Sequence, residues 1–168
     1  MLLSFIFACM KQSVFLTYNR GSDWEESTAM RLQTLANLYK LNLYLPYRDL
    51  EPSQMMIRQI QEWIKKSNTV IGLLLDGNSQ WVLQEIEFAI ANNKTVIVIY
   101  DDKNFSPTAI HENFYPIKYN EENSDETLHQ IILFLNRREH KLQKKLDAEK
   151  TLLTVGLGLL AAWGLSKV

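Results

Sequence analysis

A single cysteine, Cys9, is all the thiol chemistry that this 168-residue chain carries. No disulfide can form within it, and no CxxC metal site exists; this fits a reducing compartment. Histidine is nearly as scarce. His111, His129 and His140 are scattered, with none of the helical pairing of a metal site, so no metal is expected. Neither GxxxxGK nor GxGxxG occurs, which excludes the common phosphate-cradling loops. An excess of one charge is also missing: 18 Lys+Arg against 19 Asp+Glu leave a formal net charge of -1. That balance argues against a protein that coats nucleic acid. There is no internal repeat and no low-complexity tract. What is left is an ordinary globular composition, 46% hydrophobic and 22% charged, at a length that suits one domain plus an appendage.

Apolar runs read as strands at Ser13–Tyr18, Leu43–Leu45 (ending at Pro46), Thr69–Leu75 and Thr95–Tyr100. A short fifth strand falls within Phe114–Tyr119, where Pro116 marks an edge. Ser22-Asp23 caps a helix from Trp24 to about Leu41, with Glu25 and Glu26 favourable to the dipole of its first turn. Its apolar side is read as Met30, Leu32, Leu35, Leu38 and Tyr39. A second helix, about Gln54 to Lys66, turns Met56, Ile57, Ile60 and Ile64 inward. A third runs from Ser79 through Ile86, Phe88, Ala89 and Ile90 to Asn92-Asn93, and a last one from Glu126 to about Lys150 is capped by Ser124-Asp125. The third and fourth strands are near-continuously apolar, as expected when helices cover both sheet faces. Strict alternation with short links predicts an α/β fold with a parallel, doubly wound sheet. The expected organisation is an apolar extension (1–12), one domain (13–136), and a basic helix with an apolar tail (137–168).

The two ends differ from the middle. Met1–Cys9 is apolar but lacks a basic n-region and a cleavage site; Met10 offers a second start, and a short strand or a membrane-touching tip are the other readings. Residues 151–165, TLLTVGLGLLAAWGL, carry no charge. As a straight helix this stretch spans roughly 22 Å at ~1.5 Å per residue, short of a bilayer core of ~30 Å. Arg137, Arg138, Lys141, Lys144, Lys145 and Lys150 precede it and only Lys167 follows. Membrane entry would therefore leave the domain in the cytoplasm, attached to the inner membrane by its tail. Gly158 and Ala162, with Ala161 and Gly164, form a smooth side suited to helix association. Docking in a protein groove or an oligomer core is the alternative.

The stretch with the most chemistry is Ser79-Gln80-Trp81-Val82-Leu83-Gln84-Glu85-Ile86. Trp81 and Glu85 share one helical face, just past the carboxyl end of a strand, where open α/β sheets bind ligands. A large flat aromatic beside a lone carboxylate suits gripping a nucleotide and stabilising a sugar cation. The plainer alternative makes Trp81 a core anchor and Glu85 a first-turn residue favoured by the helix dipole.

Three blocks, taken in order, resemble the TIR (Toll/interleukin-1 receptor) domain family. They are Val14-Phe15-Leu16-Thr17-Tyr18-Asn19-Arg20, then Leu43 to Pro52, and then Ser79 to Ile86 with its WxxxE pattern. The resemblance implies a flavodoxin-like five-stranded sheet in the order 2-1-3-4-5. It also implies an immune or toxin-like effector, of the antiviral-defence kind, that self-associates through TIR contacts and cleaves NAD+ at the nicotinamide N-ribosyl bond. NAD+ is then a substrate and no cofactor is required; the products are nicotinamide and ADP-ribose or a cyclised relative. Glu85 takes the place of the catalytic carboxylate, Trp81 lines the site, and Tyr18 and Arg20 sit on the loop that touches the nucleotide. Arg20 or Arg48 suits the diphosphate, since a guanidinium fork matches oxyanions. The chain departs from the family at Pro52-Ser53, where a Gly usually follows, and in its short Asp76-Gly77-Asn78 link. The rival readings are a non-enzymatic adaptor, an effector acting on membranes through its tail, and a nucleoside deoxyribosyltransferase-like enzyme.

Overall fold

Apolar runs and amphipathic stretches alternate as β1 (Ser13–Thr17), α1 (Asp23–Leu38), β2 (Asn42–Tyr44), α2 (Gln54–Lys66), β3 (Thr69–Leu74), α3 (Gln80–Ala91), β4 (Thr95–Tyr100) and β5 (Phe114–Lys118). A last helix, α4, starts at residue 124 and is helical through 138. The computed structural model describes residues 13–46, 53–77, 79–107, 112–138, 141 and 144. The extension 1–12, the stretch 47–52 with Arg48, and the tail 151–165 lie outside the described residues. Among the described residues no helix is long and apolar enough to cross a membrane. The chain divides into two compact units, Met1–Ile132 and Leu133–Val168; the sheet and the candidate site belong to the first.

The five strands form one sheet in the order β2-β1-β3-β4-β5, with every pairing parallel. This is the doubly wound arrangement expected from the alternation of elements. The order places β3 at the centre, in register with β1 from Val14↔Thr69 and with β4 from Thr69↔Thr95. Burial follows position. All of β3 is buried, and all of β4 but its last residue, whereas β5 at the edge has no buried residue. Pro116 pairs with Val98 from that edge, where its missing N–H faces away from the ladder.

Period-2 alternation sends side chains to two opposite layers. Phe15, Val70, Leu74, Val96 and Val98 pack with Ile60 and Ile64 of α2 and with Val82, Ile86 and Ala89 of α3. The residues between them, Leu16, Ile71, Leu73, Ile97 and Ile99, are equally buried, as are Leu32 of α1 and Leu128 and Ile131 of α4. Tyr44 anchors α2 over the β2 edge. Its ring stacks on Trp63 at 3.9 Å between centroids and on Phe15 at 6.0 Å. Of the four residues expected to face inward on α2, Ile60 and Ile64 are buried and Met56 and Ile57 are half-buried.

The apolar side expected for α1 holds at Leu32, which is buried, and in part at Leu35 and Tyr39, which are half-buried; it is corrected at Met30 and Leu38. Met30 is 53% exposed and Leu38 72%, while the buried stripe is Glu25, Thr28, Ala29, Leu32 and Ala36. Small residues let the helix lie close to the sheet, and that proximity outweighs the hydropathy of larger residues one or two positions away. The end of α1 also falls earlier than expected. Lys40 adopts φ 58, its N–H bonds Asn37 O, and Leu41 N–H bonds Ala36 O at 2.9 Å. This is a Schellman stop, here without glycine. α3 ends in the same way, with Asn93 at φ 55 and Lys94 N–H on Ala89 O at 3.0 Å.

Gly72, at the middle of β3, sets how near α3 comes. A Cβ there would lie 2.6 Å from Ile86 Cδ1 and 3.0 Å from its Cγ1. Gly72→Ala is therefore expected to overpack the layer and lower stability by about 1–3 kcal/mol. Ile86→Val removes the methyl that collides, so the double variant should lose less than the sum of the two single changes. Urea midpoints of the four proteins check this, and strictly additive losses would refute the proposed contact.

Candidate functional site

The chain leaves β1 through a tight loop. Asn19 organises it: its side-chain Oδ1 accepts from Gly21 N–H at 3.1 Å and its carbonyl from Ser22 N–H at 3.1 Å. The Ser22 hydroxyl then caps α1, accepting from Glu25 N–H at 3.2 Å. Tyr18 is buried at the foot of this loop, and Arg20 stands half-buried upon it.

Ser22 and Glu25 have the spacing of a capping box, in which the Glu carboxylate returns to the N–H of the cap residue. Here that N–H is already bound to Asn19, and the carboxylate is used elsewhere. Its Oε2 accepts from Asn19 N–H at 2.6 Å, and its Oε1 from Leu75 N–H at 2.8 Å and Asp76 N–H at 3.1 Å. Glu25 is fully buried. It clamps the loop after β1 to the loop after β3, a role far more specific than the dipole partner expected from its first-turn position. Burial raises its pKa above the ordinary 4.5; the N–H groups of Asn19, Asp76 and Leu75 pull the other way, and the Asp76 charge adds to the rise. Asn104 secures the same corner by donating from Nδ2 to Leu75 O at 2.8 Å.

Above this clamp lies a pocket whose empty volume, its open mouth included, is about 710 Å³. Residues Tyr18 to Gly21 line it from the β1–α1 loop; Ile57, Ile60, Gln61 and Ile64 from α2; and Ser79, Trp81, Gln84, Glu85 and Phe88 from the start and face of α3. The i, i+3/i+4 stripes of two neighbouring helices thus form its walls. Its charged lining among the described residues is one carboxylate, Glu85, and one guanidinium, Arg20.

Four of the five residues singled out from sequence, Tyr18, Arg20, Trp81 and Glu85, meet in this pocket; Arg48 lies outside the described residues. The plainer alternatives for the helix pair are corrected. Trp81 is 41% exposed, so it is no core anchor. Glu85 lies past the first turn of α3, which holds no acidic residue, so the helix dipole does not account for it. Glu85 is 9% exposed and thus largely desolvated. The sequence reading missed Asn19, Gln61, Gln84, Phe88 and the Glu25 clamp. Ser22-x-x-Glu25 was the signal for the last; the helical spacing from Ile57 to Ile64 could have brought in Gln61.

The family model for the TIR domain matches residues 11–104, more than half of the chain. No curated protein matches it in sequence. Among solved structures, the CMP N-glycosidase of Clostridium botulinum is similar in fold at TM-score 0.55 and 19% identity, covering 71% of this chain and 97% of its own. A flavodoxin-like domain from Synechococcus sp. aligns at TM-score 0.53 and 10% identity over 78% of this chain and 99% of its own. The sugar isomerase domain of the RpiR transcription factor from Sphaerobacter thermophilus aligns at 0.52 and 10% identity, over 83% and 80% respectively. At such identities the likeness concerns the flavodoxin-like fold alone.

Glu25→Gln replaces an acceptor oxygen by a donor, so one of the three clamped N–H groups must face another donor. The expected loss is about 1–3 kcal/mol, read as a lower urea midpoint; an unchanged midpoint would show the clamp to be dispensable. Because the folded-state pKa is raised above 4.5, the stability that titration of this group contributes is fully present below that value. It is lost as pH rises through the folded pKa. The stability gap between the native protein and the variant should therefore widen as pH falls through the raised folded pKa toward 4.5.

Proposed function

The chain belongs to the TIR-domain family, and on that premise we propose that it cleaves NAD+ at the bond between nicotinamide and ribose. The observation that carries this reading is the convergence of Trp81 and Glu85 from α3 with Tyr18 and Arg20 from the β1–α1 loop on one pocket. The fold is compatible with such chemistry, since a neighbour in fold is by its name a CMP N-glycosidase.

The reaction asks little of the protein. Nicotinamide in NAD+ is already a cation and leaves as a neutral amine, so no general acid has to protonate it, unlike in ordinary glycoside cleavage with its two carboxyl groups. As the C–N bond breaks with its electron pair going to nitrogen, positive charge develops on the ribose. A desolvated Glu85 carboxylate stabilises that charge where it forms. Water then adds to the anomeric carbon and releases a proton, giving nicotinamide and ADP-ribose; attack by an adenine nitrogen instead gives the cyclic relative. Trp81 and Tyr18 offer aromatic surface to the bound nucleotide. Arg20, joined by Arg48 from the second loop (residues 46–53, after the second strand), pairs with the diphosphate.

TIR domains commonly self-associate, and the proposal includes activation by self-assembly, with the second loop as the contact that completes the pocket. Attachment to a membrane through residues 151–165 also belongs to the proposal, motivated by their lack of charge.

Glu85→Gln keeps size and removes charge. It should lower nicotinamide release by at least about 100-fold with little change in urea midpoint, measured by chromatography of NAD+ reactions. Full activity in this variant would remove Glu85 from the mechanism. Specific activity should fall on dilution of the protein; a flat profile over a wide dilution series would count against assembly.

A further inference from the structure

Two polar side chains in the pocket are unused by the chemistry above. Gln61 comes from α2 and Gln84 from α3, the residue before Glu85. Neither amide has a hydrogen-bond partner among the described residues. Gln61 is half-buried beside Ile60 and Ile64, and Gln84 is exposed, with Phe88 one turn beyond it. Arg20, the cation of the described lining, enters from the β1–α1 loop and not from either helix.

We infer that Gln61 and Gln84 select the leaving heterocycle, accepting a ring that bears a neutral carboxamide and rejecting the same ring bearing a carboxylate. The inference rests on the N-glycosidic reading of this pocket. A primary amide offers both a donor and an acceptor, so two glutamines can satisfy both ends of a carboxamide. The branched and aromatic side chains around them accept the faces of a flat ring. A ring carboxylate has acceptors only. It would bring a second negative charge beside Glu85, with no cation on α2 or α3 among the described lining residues to offset it. Sites built to hydrogen-bond one group discriminate strongly against an analogue that leaves their polar atoms unpaired.

The test compares NAD+ with nicotinic acid adenine dinucleotide, which differs only in that substituent, on the full chain. The native protein should favour NAD+ by at least about tenfold in kcat/KM. Gln61→Leu and Gln84→Leu should each raise the KM for NAD+ and narrow the preference, with kcat less affected. Gln61→Arg supplies a fork that matches a carboxylate and should shift the preference toward the acid form, a gain that impaired folding cannot imitate. Equal use of both dinucleotides by the native protein, or leucine variants with unchanged KM for both, would overturn the assignment. A parallel titration calorimetry arm uses Glu85→Gln protein, so that binding is read without turnover. If the native protein cleaves neither dinucleotide, the proposed activity fails; tighter binding of NAD+ than of the acid form would still support the role of the glutamines, and equal or absent binding would overturn it.

Discussion

Three backbone N–H groups from two loops converge on one buried carboxylate, and the candidate site stands on that convergence. Glu25 binds Asn19 with one oxygen and Leu75 and Asp76 with the other. A parallel sheet leaves its loops at the carboxyl edge without ladder partners, and their buried amides must be satisfied or the corner opens. Burial works against the charge of Glu25, and the three donors oppose that effect. In consequence the loop that carries Tyr18 and Arg20 and the segment that leads into α3 are held to each other, although they are far apart in the chain.

The second constraint is steric. Gly72 admits Ile86 so closely that a methyl on β3 would collide with it. Glu85 precedes Ile86, so the contact that seats α3 on the sheet also sets the depth of the carboxylate. On the other wall, the Tyr44–Trp63 stack holds α2 and thereby the stripe from Ile57 to Ile64. The pocket is a gap between two helices whose positions are decided by packing beneath and beside it. Its described lining holds one charge of each sign, which suits a ligand with an anionic part and a part that becomes cationic.

Much of this was legible along the chain. Alternating apolar runs and helical periods predicted the parallel sheet, and the WxxxE spacing put Trp81 and Glu85 on one face. Those signals are local, and local geometry carries them: side chains repeat at 2.0 residues in strands and 3.6 in helices. The misreadings came where size or tertiary demand overrode hydropathy. Met30 and Leu38 look like core residues and are exposed, while Ala29, Ala36 and Thr28 are small enough to fit and are buried. Lys40 gave no sign of a helix stop because a left-handed residue other than glycine leaves no composition signal; what ends the helix is the pair of bonds that Lys40 and Leu41 return to it.

By itself the sequence determined the order and type of the elements, the sheet class and the identity of the residues with chemistry to offer, because each depends on residues within a turn or two of one another. Only the tertiary structure decided that four of those residues share one pocket, that Gln61 and Gln84 join them, and that Glu25 faces inward as a clamp and not outward as a helix-end charge. Those outcomes depend on which peptide groups come within about 3 Å of a carboxylate after folding, and on how closely a helix can approach a glycine, distances that no periodicity along a chain encodes.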